Sequence, residues 1–115
     1  MITEEDKQIA LDCLKSVLAL IHERRYKELG TVVDEIHHDR LDEILEFIEE
    51  SIYPYVIDGF DPEVEYYMQE SKEQKRLWLE YPLTSCGVTI FGILFMVFEY
   101  TDNGVVKIID TIDAD

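Results

Sequence analysis

Two carboxylates near the C-terminal end of the chain could do acid–base chemistry if they lay together. Asp110 stands in an otherwise apolar segment, and Glu99 stands in the apolar segment before it. Two close carboxylates raise the pKa of one of them, which suits that residue to act as a general acid. Positions near a sheet edge explain the same residues without catalysis. The sequence has no nucleophile elbow, P-loop or dinucleotide-binding glycine pattern, so no specific motif supports an enzyme.

Metal binding has equally little support. Asp34 and His38 have the i, i+4 spacing of two ligands on a helix, but no further ligand follows at a recognisable spacing. The only cysteines, Cys13 and Cys86, are expected to be small core residues of a reducing compartment and not a disulfide or a metal site. We therefore expect no metal and no other cofactor.

The charge of the chain excludes two classes of partner. Its 26 acidic and 10 basic residues give a net charge of −16. Residues 34–70 contain thirteen acidic residues and a single basic one, Arg40. Nucleic-acid phosphates and anionic lipids are bound by cations, which this surface lacks. We expect neither nucleic acid nor a membrane as a partner.

The same acidic stretch is the candidate binding surface. Like charges spaced three or four residues apart on a helix cost about 0.2–0.5 kcal/mol per pair, so stability alone does not favour them. A solvated face that keeps the protein soluble is the simpler interpretation. Interleaved tyrosines favour an interface instead, because tyrosine is enriched in protein interfaces and carboxylates steer a cationic partner. The predicted surface for a basic protein consists of Asp39, Asp42, Glu43, Glu46, Glu49, Glu50, Tyr53, Tyr55, Asp58, Asp61, Tyr66 and Tyr67.

The element that must support these residues is a C-terminal β-hairpin. Two segments rich in β-branched and aromatic residues, within 88–113, flank Asn103-Gly104, which is a strong hairpin signal. With those two residues as the loop, the expected cross-strand pairs are Phe98–Ile109, Tyr100–Lys107, Val97–Asp110 and Phe95–Ile112. The first strand is apolar on both faces, so the preceding chain is expected to cover it.

Two helices are predicted in the first half of the chain. Thr3 and the acids after it indicate an N-terminus, and apolar residues at helical spacing extend the helix from about Glu4 to Arg25. The short segment Thr31–Asp39 is predicted to be a turn or a brief helix. Asp39 then caps a second helix, which Tyr53-Pro54 ends.

Residues 55–87 are harder to interpret. A short strand is predicted at residues 55–57, followed by a helix that starts at Asp61-Pro62. That helix continues to Leu77 and Trp78, or it breaks into a helix, a loop and a short strand, and Pro82 ends the segment in either case. Gly87 and Gly92 predict bends or a bulge that curves the sheet.

These elements predict one α+β domain over residues 1–115, with N-terminal helices packed on a small curved antiparallel sheet centred on the C-terminal hairpin. The order of elements resembles the nuclear-transport-factor-like fold. That resemblance implies a pocket inside the curve of the sheet, and with it the alternative function of a small-molecule binder or small enzyme that uses Asp110 and Glu99. Homodimerisation through an exposed face or edge of the hairpin is a third possibility.

A small acidic α+β chain studded with tyrosines also resembles the immunity proteins of bacterial toxin systems, including contact-dependent growth inhibition. This resemblance implies a stoichiometric inhibitor that blocks the cationic site of a basic toxin, such as a nuclease. The acidic start of the chain is unlike a signal peptide, and the longest apolar run, Val88 to Phe98, has 11 residues where a membrane helix needs about 20. We therefore expect a cytoplasmic protein.

Overall fold

The first helix begins where the sequence predicts it and ends three residues early. A computed structural model describes residues 1–51 and 56–114. Helix α1 spans Glu4–His22, and Thr3 and Asp6 form a reciprocal capping box at its N-terminus. Arg24 adopts a left-handed backbone with φ +59°, and the Arg25 amide donates to the Leu20 carbonyl at 2.8 Å. This Schellman-type bond closes the helix before the predicted end at Arg25.

A strand replaces the turn or brief helix predicted for Thr31–Asp39. A 3₁₀ segment spans Tyr26–Thr31, and the two-residue strand β1, Glu35–Ile36, follows it. The Asp34 amide donates to the Lys107 carbonyl, and the Lys107 amide donates back to the Asp34 carboxylate. These bonds hold β1 parallel to the C-terminal strand, a long-range pairing that local spacing does not show.

Helix α2 spans Leu41–Ser51, so the predicted helix exists but begins one residue later than a cap at Asp39 implies. The Arg40 carbonyl, and not that of Asp39, accepts the first helical bond, from the Ile44 amide at 3.1 Å. Leu41, Leu45 and Ile48 are buried and carry its apolar stripe into the core. The predicted end of this helix at Tyr53-Pro54 lies outside the described residues.

The helix predicted from Asp61 is wrong. A turn follows Asp61, and strand β2, Tyr67–Glu70, comes after it. Tyr66 and Met68 are partly buried while Tyr67 and Gln69 are exposed, so the segment alternates with period two. Val56 and Ile57 lie in no strand, and the rest of the predicted strand at 55–57 lies outside the described residues.

Strand β3, Arg76–Ser85, contains the proline that was expected to end the segment. β2 pairs only with residues 77–80 of β3, so Pro82 has a paired strand on one side only. Proline lacks an N–H and is tolerated at such an edge. A two-residue turn at Cys86 and Gly87, both with positive φ, leads into β4.

The C-terminal hairpin forms, but its predicted register is wrong. β4 spans Val88–Thr101 and β5 spans Gly104–Ala114, and Thr101 pairs with Gly104 across a loop of Asp102 and Asn103. The Thr101 hydroxyl donates to the Gly104 carbonyl at 2.9 Å, which fixes this loop. The observed pairs are Phe98–Lys107, Tyr100–Val105, Val97–Ile108 and Phe95–Thr111. Asp110 pairs with no residue of β4, because the register shifts by one between Met96 and Phe95.

The five strands form one curved mixed sheet in the order β1-β5-β4-β3-β2, with β1 the parallel member. A second irregularity lies beside Gly92, where a bulge was predicted. Both helices pack on one face of this sheet, and their apolar residues form a single core with Leu77, Phe98 and Ile109. The predicted α+β class is confirmed. In the part of the chain that is described, no helix is long and apolar enough to cross a membrane.

Cys13 and Cys86 are both free thiols with different surroundings. Cys13 is a core residue as predicted, and burial raises the pKa of its thiol to about 11. Cys86 is exposed, so its prediction as a core residue is wrong. The reason is that Cys86 lies in the β3–β4 turn and not in a strand.

Candidate functional site

The exposed side of α2 carries most of the predicted acidic surface. Glu43, Glu46 and Glu50 are exposed and Asp42 is partly exposed. At 100° per residue these four and Phe47 occupy an arc of about 140° on the helix. Asp39, just before the helix, is also exposed. We call Asp39, Asp42, Glu43, Glu46, Phe47 and Glu50 the acidic α2 face.

Phe47 adds an exposed aromatic side chain at one edge of this face. Its side chain is 69% exposed, the highest value among the large aromatic residues of the described chain. Aromatic residues surrounded by polar groups are typical anchors of protein interfaces. The Arg40 guanidinium forms an ion pair with Glu43, and Lys27 borders Asp39 and Asp42. Arg24, beside Glu46 and Glu50, is paired with Glu49, and the face itself has five carboxylates. The face therefore remains strongly negative.

Glu49 does not share the outward face that helical spacing predicted. Its side chain is 5% exposed, and one carboxylate oxygen accepts from Arg24 Nε at 2.8 Å. Burial raises the pKa of Tyr26, and the Glu49 carboxylate, which faces the Tyr26 hydroxyl, raises it further. Glu49 Oε1 and the Tyr26 hydroxyl nevertheless lack a hydrogen bond of normal geometry. Glu49 therefore ties α2 to the C-terminus of α1.

Asp58 and Asp61, also in the predicted surface, organise loops. The Asp58 carboxylate accepts from the Thr84 hydroxyl at 3.2 Å and from the Gly87 amide at 3.0 Å, so it holds the β3–β4 turn. The Asp61 carboxylate accepts from the Glu63 amide at 2.9 Å. These hydrogen bonds give both acidic residues a role in the fold that requires no binding protein.

The tyrosines of the predicted surface do not form one group. Tyr66 packs against Phe60 and Tyr81, with ring centroids 6.0 and 6.1 Å away. Tyr67 is 55% exposed on the sheet face turned away from the helices. Tyr53 and Tyr55 lie outside the described residues. The structure thus brings five of the twelve predicted residues together on the acidic α2 face.

A second surface feature, which the sequence analysis missed, lies on that outer sheet face. An open groove of about 360 Å³ is lined mainly by strand side chains of β2 to β5. We call it the outer groove, and its outward side chains are Tyr67, Gln69, Trp78, Glu80, Phe95, Val97 and Asp110. The sequence feature that relates to this groove is the presence of apolar residues on both faces of β4. From it we expected the preceding chain to cover that strand. The helices instead cover one face only.

The predicted carboxylate pair of Asp110 and Glu99 does not form. Glu99 stands opposite Val106, four residues from Asp110 along β5, or on the order of 13 Å at strand spacing. Glu99 binds Arg76 at 2.7 Å, and Asp110 binds His37 at 3.1 Å. The two carboxylates therefore have separate partners, and the register error explains the wrong prediction.

Asp34 and His38, the two possible metal ligands of the sequence, form hydrogen bonds with backbone amides in the fold. Asp34 accepts from the Lys107 amide at 2.8 Å, and His38 Nδ1 accepts from the Arg40 amide at 3.3 Å. Among residues 1–51 and 56–114, no three His, Cys, Asp or Glu side chains cluster as metal ligands.

The sheet face toward the helices is packed with side chains of β3 and β4. Leu79, Tyr81, Leu94 and Phe98 are at most 1% exposed and belong to the core.

Comparisons with protein-family models, with curated proteins and with solved structures found no match. A function must therefore be inferred from the surface of this molecule.

Proposed function

We propose that this protein is a binding module for a basic protein and that it inhibits this partner by covering a cationic site. The observation that carries the proposal is the acidic α2 face, in which exposed carboxylates lie beside the exposed ring of Phe47. Such carboxylates attract a cationic partner and orient it, while the ring supplies contact area that loses water on binding.

The energetics of α2 support the proposal. Glu46 and Glu50 are like charges at i, i+4 spacing, and Glu50 lies at the negative end of the helix dipole. No basic residue occurs in the last turn of α2. These acids reduce helix stability, which is understandable if they serve binding.

The proposed activity is that of a stoichiometric inhibitor, of the kind found in toxin immunity. In this proposal the carboxylates occupy the site that binds phosphate groups on a basic nuclease, and one inhibitor blocks one enzyme. The proposal locates the protein in the cytoplasm, where its thiols stay reduced. The alternative of a small enzyme that uses Asp110 and Glu99 has less support, because these two carboxylates lie apart.

Affinity capture with matched variants tests the proposal. The immobilised protein is compared with Glu43→Gln/Glu46→Gln/Glu50→Gln on lysate of the source cells, at salt concentrations of about 0.05 and 0.5 M. The control variant Glu5→Gln/Glu73→Gln/Asp102→Asn removes the same charge from other exposed positions. A basic protein captured by the wild type and the control, released by salt and lost with the α2 variant, is the expected result.

The captured protein is then titrated with the inhibitor, and its activity must disappear at a one-to-one molar ratio. Equal capture by all three proteins, or a partner whose activity is unchanged by saturating inhibitor, would contradict the proposal. The first outcome would show that the acidic α2 face is not the binding surface. The second would show that the protein does not inhibit its partner.

A further inference from the structure

The outer groove combines three features that together indicate a ligand. It is apolar and aromatic, it contains carboxylates, and it is open to solvent. Trp78 is 38% exposed, Tyr67 is 55% exposed and Phe95 is partly exposed. Val97 and Ile108 are buried on this face but do not belong to the core on the helix side.

We propose that the outer groove binds an arginine side chain carried by a flexible segment of the basic partner. The inference takes the basic partner from the proposed function and adds a second binding site on the opposite face of the sheet. The shorter dimensions of the molecule are 28 and 21 Å. An extended segment of about nine residues spans 28 Å, so a loop or tail of the partner can reach the groove.

The charge of the groove selects a cation. Glu80 is partly buried among the aromatic side chains, and within the described chain no lysine, arginine or histidine forms an ion pair with it. Asp110 contacts His37, which also contacts Glu35 at 3.2 Å. The nearby Arg76 is occupied by Glu99 at 2.7 Å. A neutral apolar ligand would cover Glu80 without a partner, which is costly.

The shape of the groove favours arginine in particular. A planar guanidinium stacks on aromatic rings while its N–H groups bind carboxylates, and Trp78 stands beside Glu80 on this face. The apolar side chains of Phe95 and Val97 suit the aliphatic part of the same residue. A second copy of this chain is a poor occupant, because each copy carries a net charge of −16.

The single tryptophan of the chain makes the test direct. Trp78 lies in the groove, so its fluorescence reports occupancy without a label. The probe is the synthetic peptide acetyl-Gly-Arg-Gly-Arg-Gly-amide, and the control peptide replaces each arginine with citrulline, which has nearly the same shape and no charge. We expect a saturable change in Trp78 fluorescence with the arginine peptide, and at least about tenfold weaker binding of the citrulline peptide.

Variants distinguish the groove from general charge attraction. Glu80→Gln/Asp110→Asn is expected to weaken peptide binding about tenfold or more, and Glu80→Gln alone to weaken it in the same direction. Glu5→Gln/Asp102→Asn removes the same charge from exposed positions outside both the outer groove and the acidic α2 face, and is expected to change the affinity by less than about twofold, because salt screens such surface charges. Circular dichroism verifies that each variant is folded.

Three results would overturn the inference. These are equal binding of the citrulline peptide, an equal loss with Glu5→Gln/Asp102→Asn, and a Trp78 signal that depends on protein concentration alone, which would assign the groove to self-association. The result is separable from the proposed function. Groove binding without capture of any basic protein would refute the proposed function only, whereas capture through the acidic α2 face without peptide binding would refute this inference only.

Discussion

At the scale of single residues, Glu49 differs from its predicted place on the surface. Its carboxylate is buried and forms an ion pair with Arg24. The Glu49 side chain is 5% exposed and that of Arg24 is 56% exposed. A buried carboxylate needs its cation, because desolvation without a partner is costly.

Arg24→Met is therefore expected to lower the free energy of unfolding by about 1–3 kcal/mol. Methionine keeps the same left-handed backbone cost as arginine, so the loss reports the charge. Arg24→Met/Glu49→Leu removes both charges and is expected to recover part of this loss. Urea denaturation measures both variants, and a change of less than about 0.5 kcal/mol for Arg24→Met would contradict the role of the pair.

His37 is a histidine whose titration two neighbouring carboxylates change. Its ring contacts Glu35 at 3.2 Å and Asp110 at 3.1 Å. The hydrogen bond to Glu35, followed by the one to Asp110, raises the pKa of His37 above its usual 6.5. Because the pKa is raised in the folded state, protonation of His37 stabilises the protein.

This stabilisation is complete below the pKa of histidine in the unfolded chain, about 6.5, and disappears as the pH rises through the raised pKa of His37. We expect a pKa above 6.5 by NMR titration, lowered by Glu35→Gln and by Asp110→Asn. His37→Gln should remove the corresponding fall in stability with rising pH. A His37 pKa at or below 6.5 would show that the two contacts do not persist in solution.

At the scale of elements, the hairpin loop depends on one glycine. Gly104 has φ +127°, a conformation that residues with a side chain rarely adopt. Gly104→Ala is expected to cost about 1–3 kcal/mol in unfolding free energy. Gly30→Ala is the matched control, because a Cβ at Gly30 meets no atom within 4 Å and needs no positive φ. Equal denaturation midpoints for the two variants would contradict the observed loop.

Helix α2 provides a second prediction at this scale. Neutralising Glu46 and Glu50 removes a like-charge pair and a charge at the unfavourable end of the helix dipole. Glu46→Gln/Glu50→Gln is expected to raise the unfolding free energy by about 0.5–1.5 kcal/mol while weakening partner binding. Thermal and urea unfolding measure the gain. A less stable variant would mean that these acids serve the fold.

Local patterns predicted the elements whose periodicity is strong. The α1 cap at Thr3, the apolar stripe of α2 and the existence of the C-terminal hairpin all follow from residue types at fixed spacing. The register failed because the Thr101 hydroxyl selects a loop one residue earlier than Asn103-Gly104 and because Asp110 enters a bulge. β1 was missed because its pairing partner, β5, lies far away in sequence. β2 was missed although its partner β3 is the next strand, because Asp61-Pro62 has the residue types of a helix start.

At the scale of the whole molecule, the acidic stretch is divided between surfaces that sequence order does not distinguish. Helical spacing placed Glu43, Glu46 and Glu50 correctly on the outside of α2. It could not show that Glu49 turns inward toward Arg24, or that Tyr67 belongs to the opposite face of the sheet. The outer groove requires the sheet order, because its side chains come from four strands.

The measurement that tests the central proposal most directly is the association rate of the captured basic partner as a function of salt. For the wild type we predict a rate that falls steeply with ionic strength, since the acidic α2 face steers the encounter. Glu43→Gln/Glu46→Gln/Glu50→Gln should slow association at low salt and flatten this dependence, while Glu5→Gln/Glu73→Gln/Asp102→Asn should retain most of both. Indistinguishable rates for the two variants would contradict the assignment of the acidic α2 face as the binding surface.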